Sequence, residues 1–278
     1  MSLFRQTTIE EFLHPVSSHI APIFAFHGGQ GHIVGTAVIV ASGIAMTAKH
    51  VMDDILIRFG IKSQQNNIQL DICIFQLNVS CFWYVVRSFS WVGTDISILL
   101  LQPRNDQEAC RSIIKRLPMT VDPPQVGAEI IALGYPTSEI NLPRNDSEVT
   151  EINLKVKPSI STGRVLDIHR SCRDSCIIRF PSFSVDAKFP EGMSGGAVFN
   201  EQKELCGLVC SGGDGKLEGY STAVSIWPSM IIPLRISDDM NFIGLERNTT
   251  YRIHDLARLG YLDFRGHERV DGSVNFLV

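Results

Sequence analysis

Residues 32–48 read HIVGTAVIVASGIAMTA, two apolar runs rich in valine and isoleucine with Ser42 and Gly43 between them. Short runs of this kind, separated by turn residues, are typical of β-strands. Glycine suits the position between the runs because it adopts backbone conformations that other residues disfavour. The stretch therefore predicts two consecutive strands joined by a tight turn.

Similar runs recur along most of the chain and form two sets of comparable length. Between the sets, residues 103–127 carry no strand signal and have proline-rich ends, which suits a linker. Examples of the runs are CFWYVVRSF (81–89), DISILLL (95–101), EIIALGYP (129–136) and LCGLVCSGG (205–213). Many short strands predict an all-β protein, either a sandwich or a barrel.

The composition is that of a globular protein, with 44% hydrophobic and 19% charged residues in 278. A net charge of -4 gives no broad cationic surface, so nucleic acid is not expected as a partner. No stretch approaches the roughly 18 apolar residues of a membrane span, and residues 1–20 lack the apolar run of an export signal. We therefore expect a cytoplasmic protein without a membrane partner.

The chain has seven cysteines, an odd number, and without an export signal we expect reduced thiols. Two CxxxC pairs, Cys172/Cys176 and Cys206/Cys210, lack a histidine-rich segment with the spacing of a structural zinc site. Residues four apart on a strand lie about 13 Å apart, too far to share one ion. No bound metal is expected.

The segment Glu191-Gly192-Met193-Ser194-Gly195-Gly196 places a serine among three glycines ahead of an apolar strand. Such a turn can aim the amides of Gly192 and Ser194 at one point and form an oxyanion hole, which binds the negatively charged oxygen of a tetrahedral intermediate. The motif alone also fits a glycine-rich hairpin turn with an incidental serine.

Two further segments place a histidine and an acid next to strands. His50 closes Thr47-Ala48-Lys49-His50 at the end of an apolar run, and Asp95 opens DISILLL. Taken singly, His50 fits a structural hydrogen-bonding residue and Asp95 fits a turn residue.

Together, the TAxH, DIxxLL and GxSGG segments, in the order His, Asp, Ser, resemble the trypsin-like serine peptidase family. The resemblance implies two six-stranded antiparallel β-barrels with the active site in the cleft between them. It also implies roles for three residues: Ser194 is the nucleophile, His50 the general base, and Asp95 the residue that orients the histidine. The family's mechanism needs no cofactor.

The resemblance extends over roughly residues 25–235 and implies substrate-binding residues. The LCGLVCSGG strand matches the family strand that pairs with substrate, which implicates Cys210, Ser211 and Gly212, with Gly219 on the opposite pocket wall. Lys188 lies where the family places its specificity determinant. An ammonium there would favour acidic side chains, but an apolar pocket is equally compatible with the sequence.

Met193 departs from the secreted members of the family, in which the residue before the nucleophile is an acid that pairs with a newly cut N-terminus. It resembles the bacterial, non-zymogen members instead. We therefore expect a protein that is competent as translated or is held in check by a regulatory protein partner.

The expected organisation has four parts. They are an N-terminal extension (1–24), a first barrel (25–115), a second barrel (116–235), and a C-terminal helix and tail (236–278). The helix is indicated by the near-helical spacing of apolar residues in TYRIHDLARLGYL (250–262).

The function expected from these observations is that of a serine endopeptidase acting on a protein or peptide substrate through an acyl-enzyme intermediate. The alternative is a catalytically silent peptide-binding or scaffolding module with the protease fold. An esterase using the same triad is a further alternative, since acyl-transfer chemistry does not itself select amides.

Overall fold

The structure is a computed structural model of the chain. It describes residues 3–6, 19–27, 30–58, 69–76, 79–104, 115–136, 140–141, 153–154, 158–174, 177–211, 220–238 and 245–265. No helix within these residues is long and apolar enough to cross a membrane.

After a short first strand, β1 (Leu3–Gln6), six strands close into an antiparallel barrel. They are β2 (Ile20–His27), β3 (Gln30–Ala41), β4 (Ile44–Ala48), β5 (Gln69–Gln76), β6 (Val79–Ser90) and β7 (Ile96–Pro103). The strand order is β2-β3-β4-β7-β6-β5, with β5 returning to β2. Helix α1 (Lys49–Arg58) follows β4 without a loop.

A second set of six strands also forms a closed antiparallel ring. After β8 (Pro118–Thr120), the chain forms β9 (Glu129–Gly134), the hairpin β10 (Ile140–Asn141) and β11 (Asn153–Leu154), then β12 (Ser159–His169), β13 (Ser182–Val185), β14 (Ala197–Phe199), β15 (Leu205–Ser211) and β16 (Ser221–Ser225). The ring runs β9-β12-β13-β16-β15-β14 and closes because β14 pairs with β9. The prediction of two six-stranded barrels is confirmed.

The apolar runs of the first barrel are continuous because both faces of several strands are buried. Ile39 packs in a cluster formed by the first barrel and α1. Its neighbours Val38 and Val40 pack on the other face, in a cluster that joins both barrels and the C-terminal segment. A buried aliphatic side chain contributes about 1.5–3 kcal/mol. The two barrels thus share a core that fixes the cleft between them.

The C-terminal segment packs on this shared core. It comprises a 3₁₀ turn (Trp227–Ile231), β17 (Pro233–Arg235), β18 (Thr250–Arg252), α2 (Ile253–Arg258) and β19 (Asp263–Arg265). The expected terminal helix is present but shorter than residues 250–262. At the start of the helix, the Asp255 carboxylate accepts a hydrogen bond from the Arg252 amide. After its end, Gly260 has a φ of 78°, a left-handed conformation that interrupts a helix.

Three other features differ from the sequence expectations. β8 lies within residues 103–127, where no strand was expected. β2 begins at Ile20, inside the expected N-terminal extension, and β1 pairs with β12 of the second barrel. Cys81 is disulfide-bonded, so the expectation of seven reduced thiols is wrong for this residue. Sequence alone cannot identify which cysteines meet in space.

Candidate active site

The pairing of β4 with β7 brings His50 and Asp95 together. Ala48 ends β4 opposite Ile96, the first residue of β7, so the residues after β4 lie beside those before β7. The His50 amide donates to Asp95 Oδ1 at 2.9 Å, and His50 Nδ1 lies 2.7 Å from Asp95 Oδ2. One buried carboxylate therefore fixes both the backbone and the ring of His50.

The charge around His50 favours its protonated form. Burial would lower its pKa, but this effect is outweighed by the hydrogen bond and negative charge of Asp95, helped by Asp54 and Asp53, so the pKa is raised. If Nδ1 donates its hydrogen to Asp95, then Nε2 is the ring nitrogen that can take up a proton. The arrangement suits a general base with a stabilised imidazolium.

The turn that carries Ser194 needs glycine on both sides of the serine. Gly192 and Gly195 have φ values of 87° and 81°, in the left-handed region. A Cβ at Gly195 would lie 2.2 Å from both Thr36 O and Thr47 Oγ1. In the described part of the chain, neither the Gly192 amide nor the Ser194 amide donates a hydrogen bond. Both amides are therefore available to a substrate oxygen.

Met193 anchors this turn in the core of the second barrel. It is fully buried and packs in the apolar cluster of the second barrel, which includes Ile130 and Phe183. Apolar packing thus holds the residue before Ser194 at the position where secreted members of the family have an acid.

Thr36, on β3 of the first barrel, connects the Ser194 turn to both barrels. Its amide donates to the Ser194 carbonyl at 2.9 Å, and its hydroxyl donates to the Gly192 carbonyl at 3.3 Å. The same hydroxyl accepts the Tyr135 amide at 2.9 Å. Thr36 therefore holds the carbonyls on either side of Met193. Sequence reasoning assigned Thr36 no role, because the residues it contacts are distant in sequence.

A pocket of about 170 Å³ opens beside these residues and is bordered by His50, Gly192 and Ser194. The first barrel contributes His50 to it, and the second barrel contributes the other two residues. The cavity thus lies where the barrels meet and has the histidine and the serine in its wall.

Comparison with known proteins agrees with this geometry. The sequence profile of the trypsin-like peptidase domain matches residues 35–208, a span that contains His50, Asp95 and Ser194. The chain belongs to the trypsin-like peptidase family. The comparison with curated proteins gives no match.

Among the solved structures with a similar fold, two are named as proteases. The MamO protease domain from Magnetospirillum magneticum is 16% identical with a TM-score of 0.50, and the match covers 76% of this chain and 94% of that one. The HtrA-type protease AlgW is 15% identical with a TM-score of 0.49, covering 79% of this chain and 60% of AlgW. An inactive mutant form of Rv3671c from M. tuberculosis is 14% identical with a TM-score of 0.44, covering 80% and 89%. At these identities, the MamO match supports the fold alone.

Cys210 lies closer to the predicted triad than sequence reasoning indicated. We expected it to bind substrate; its side chain is buried, with the sulfur within 4.8 Å of an Asp95 carboxylate oxygen. Burial, with the nearby Asp95 charge, raises the thiol's pKa well above its usual value, so the thiol stays protonated. Its backbone carbonyl is the acceptor of the Ser194 hydroxyl at 3.5 Å. The side chain of this residue thus lies beside the aspartate, and its backbone contacts the serine.

The other expected substrate-binding residues are only partly placed. Ser211 is the half-buried last residue of β15 and pairs with Thr222. Lys188 is exposed, and within the described residues no hydrogen bond or ion pair holds it. Gly212 and Gly219 lie outside the described residues.

The ligand atoms of His50, Asp95 and Cys210 lie within 4.8 Å of one another. Nitrogen, oxygen and sulfur ligands of this kind suit zinc. A metal here would have to displace the hydrogen bond between His50 Nδ1 and Asp95.

Proposed function

We propose that the protein is a serine endopeptidase that cleaves peptide bonds through an acyl-enzyme intermediate. Ser194 attacks the peptide carbonyl while His50 takes up its proton, and His50 then donates that proton to the leaving amine. Asp95 keeps the imidazole in the required tautomer. The amides of Gly192 and Ser194 stabilise the oxyanion. The substrate is a protein or peptide, and the mechanism requires no cofactor.

The observation that carries the proposal is the 2.7 Å contact between Asp95 and His50, a histidine that lines the same pocket as Ser194. A histidine oriented by a carboxylate next to a serine in a glycine-rich turn can perform acyl transfer. Membership of the trypsin-like peptidase family supports the same chemistry.

The test is incubation with a proteome-derived peptide library, with cleavage sites identified by mass spectrometry. We expect the wild-type protein to cleave internal peptide bonds and Ser194→Ala to cleave none while remaining folded. Ser171→Ala, at an exposed serine, is the matched control and should behave as wild type. Equal cleavage by Ser194→Ala and wild type would reject the proposal.

One observation favours the second candidate, a catalytically silent peptide-binding module. The Ser194 hydroxyl donates to the Cys210 carbonyl at 3.5 Å, and within the described residues it makes no hydrogen bond to His50. Catalytic hydrogen bonds are often long or misaligned without substrate, so an active enzyme can show the same contact. A silent module would bind library peptides without cleaving them.

A further inference from the structure

We infer that the pocket beside Ser194 selects an apolar side chain in the leaving-group half of the substrate, within the first two residues after the cleaved bond. The inference rests on the proposed endopeptidase function and adds a substrate class to it.

The apolar side chains that line the pocket come from the first barrel and α1. They are Ile33 and Val34 of β3 and Val51 and Ile55 of α1. Val51 and Ile55 are buried, so this wall is packed in place before any substrate arrives. A cavity of about 150 Å³ lined by apolar side chains can hold benzene. A pocket of about 170 Å³ thus has room for a branched aliphatic or aromatic side chain.

The position of His50 determines which half of the substrate enters the pocket. The histidine must pass its proton to the leaving amine, so the leaving group lies on the His50 side of Ser194. The pocket is on that side, bounded by His50 and α1. The acyl half follows a different path, along the end of β15. β14 pairs with β15 only up to Leu208, and the Cys210 carbonyl beyond that point faces Ser194.

Three charged side chains also line the pocket. Asp54 and Glu191 are acidic, Arg58 is basic, and all three are exposed. The mixed signs provide no strong field for one kind of charge, whereas burying a charged substrate group against the apolar side chains would be costly. The apolar side chains therefore decide the preference.

The first measurement uses peptides with one fixed acyl half and all residue types at the two positions after the cleaved bond. We expect Leu, Ile or Phe at one of these positions to exceed Gly and Asp in kcat/KM by roughly 10 to 100-fold. The methyl ester of the same acyl half has a leaving group too small to fill the pocket, and its hydrolysis reports the chemistry alone.

The second measurement alters the pocket through Val34. Val34→Phe should reduce the preference for large side chains, and Val34→Ala should shift it toward larger ones, each measured relative to methyl ester hydrolysis by the same variant. Because the two variants should change the preference in opposite directions, either one tests the inference if the other does not fold. Leu166→Phe, at an exposed leucine on β12, is the control and should retain the wild-type preference.

The outcomes separate the inference from the proposed function. One outcome would overturn the inference and leave the protease function intact. In it, the protein hydrolyses the methyl ester, but kcat/KM for the peptides varies less than about twofold with the residue at either position after the cleaved bond. A preference that both Val34 variants leave unchanged would also overturn it. Failure to hydrolyse either the ester or any peptide would reject the proposed function itself.

Discussion

At the scale of single residues, the site depends on a few buried polar groups with several partners each. Asp95 accepts from the His50 amide and from the His50 ring, and the Cys210 sulfur lies within 4.8 Å of it. Inside a protein such networks are costly to leave incomplete, because a buried polar atom without a partner loses its solvation. Substitutions that remove only a few atoms at these positions should therefore have large effects on activity.

Asp95→Asn should lower kcat by about 10,000-fold while the protein remains folded, because an amide favours the wrong imidazole tautomer. It should also shift the pH profile. In the wild type, Asp95 raises the pKa of His50, so activity should rise with pH through a value above about 6.5. Without that charge, burial lowers the pKa, and the rise should move to lower pH.

A pH-rate profile of kcat/KM measures both effects. Asp122→Asn, at an exposed carboxylate after β8, is the control and should match wild type. An Asp95→Asn profile within a few-fold of wild type, with an unshifted acidic limb, would remove Asp95 from the mechanism.

Thr36→Val should lower kcat by roughly 10 to 100-fold with little change in KM, because small displacements of catalytic groups have effects of that size. Valine has the same shape but cannot hold the Gly192 carbonyl or accept the Tyr135 amide. Thr36→Ser should restore most of the activity.

Thr120→Val is the matched control for Thr36. It also removes a buried threonine hydroxyl, which accepts the Asp122 amide at 3.2 Å. Each lost hydrogen bond costs about 0.5–1.5 kcal/mol of stability. Equal losses of kcat in Thr36→Val and Thr120→Val would indicate that the hydroxyl of Thr36 is merely structural.

At the scale of elements, apolar packing orders the Ser194 turn. Met193→Ala should lower the free energy of unfolding by about 2–5 kcal/mol and reduce activity, because the side chain fills the core beneath the turn. Met193→Leu conserves volume and should cost less than about 1.5 kcal/mol. Urea unfolding and active-site titration measure the two effects. Full wild-type activity in folded Met193→Ala would show that the turn does not need this anchor.

Sequence predicted the elements whose signal is local. Short apolar runs separated by turn residues identified most of the barrel strands, and the turn glycines identified the Ser194 segment. The roles of Thr36 and Cys210 depend on pairings between distant parts of the chain. Thr36 meets Tyr135 only because the two barrels pack together, and Cys210 meets Asp95 only once β15 lies against the first barrel. The disulfide of Cys81 was missed for the same reason.

At the scale of the whole molecule, the N-terminal segment is part of the fold. β1 pairs with residues 159–162 of β12, and Ile20 to Phe24 of β2 are buried in the first barrel. Removing residues 1–24 would therefore cut into the barrel. Removing residues 1–18 is the cleaner way to ask whether activity requires N-terminal processing.

The protein with an intact, mass-verified N-terminus should titrate fully with an active-site reagent. Met193 offers no counter-charge for a new amino terminus, so no activating ion pair can form there. Removing residues 1–18 should not raise activity and should lower stability, because it exposes an unpaired edge of β12. An intact form that is unreactive and a trimmed form that titrates fully would contradict this account. Control by a regulatory protein partner stays a prediction.

The most direct test of the central claim is covalent labelling with a fluorophosphonate, followed by peptide mapping. We predict one phosphonylated residue, Ser194, because among the residues that the structure describes only this hydroxyl lies beside an activating histidine and two oxyanion donors. Labelling should disappear in His50→Ala, although Ser194 is still present. Absence of labelling in the folded wild-type protein, or labelling that persists in His50→Ala at the wild-type rate, would contradict the account.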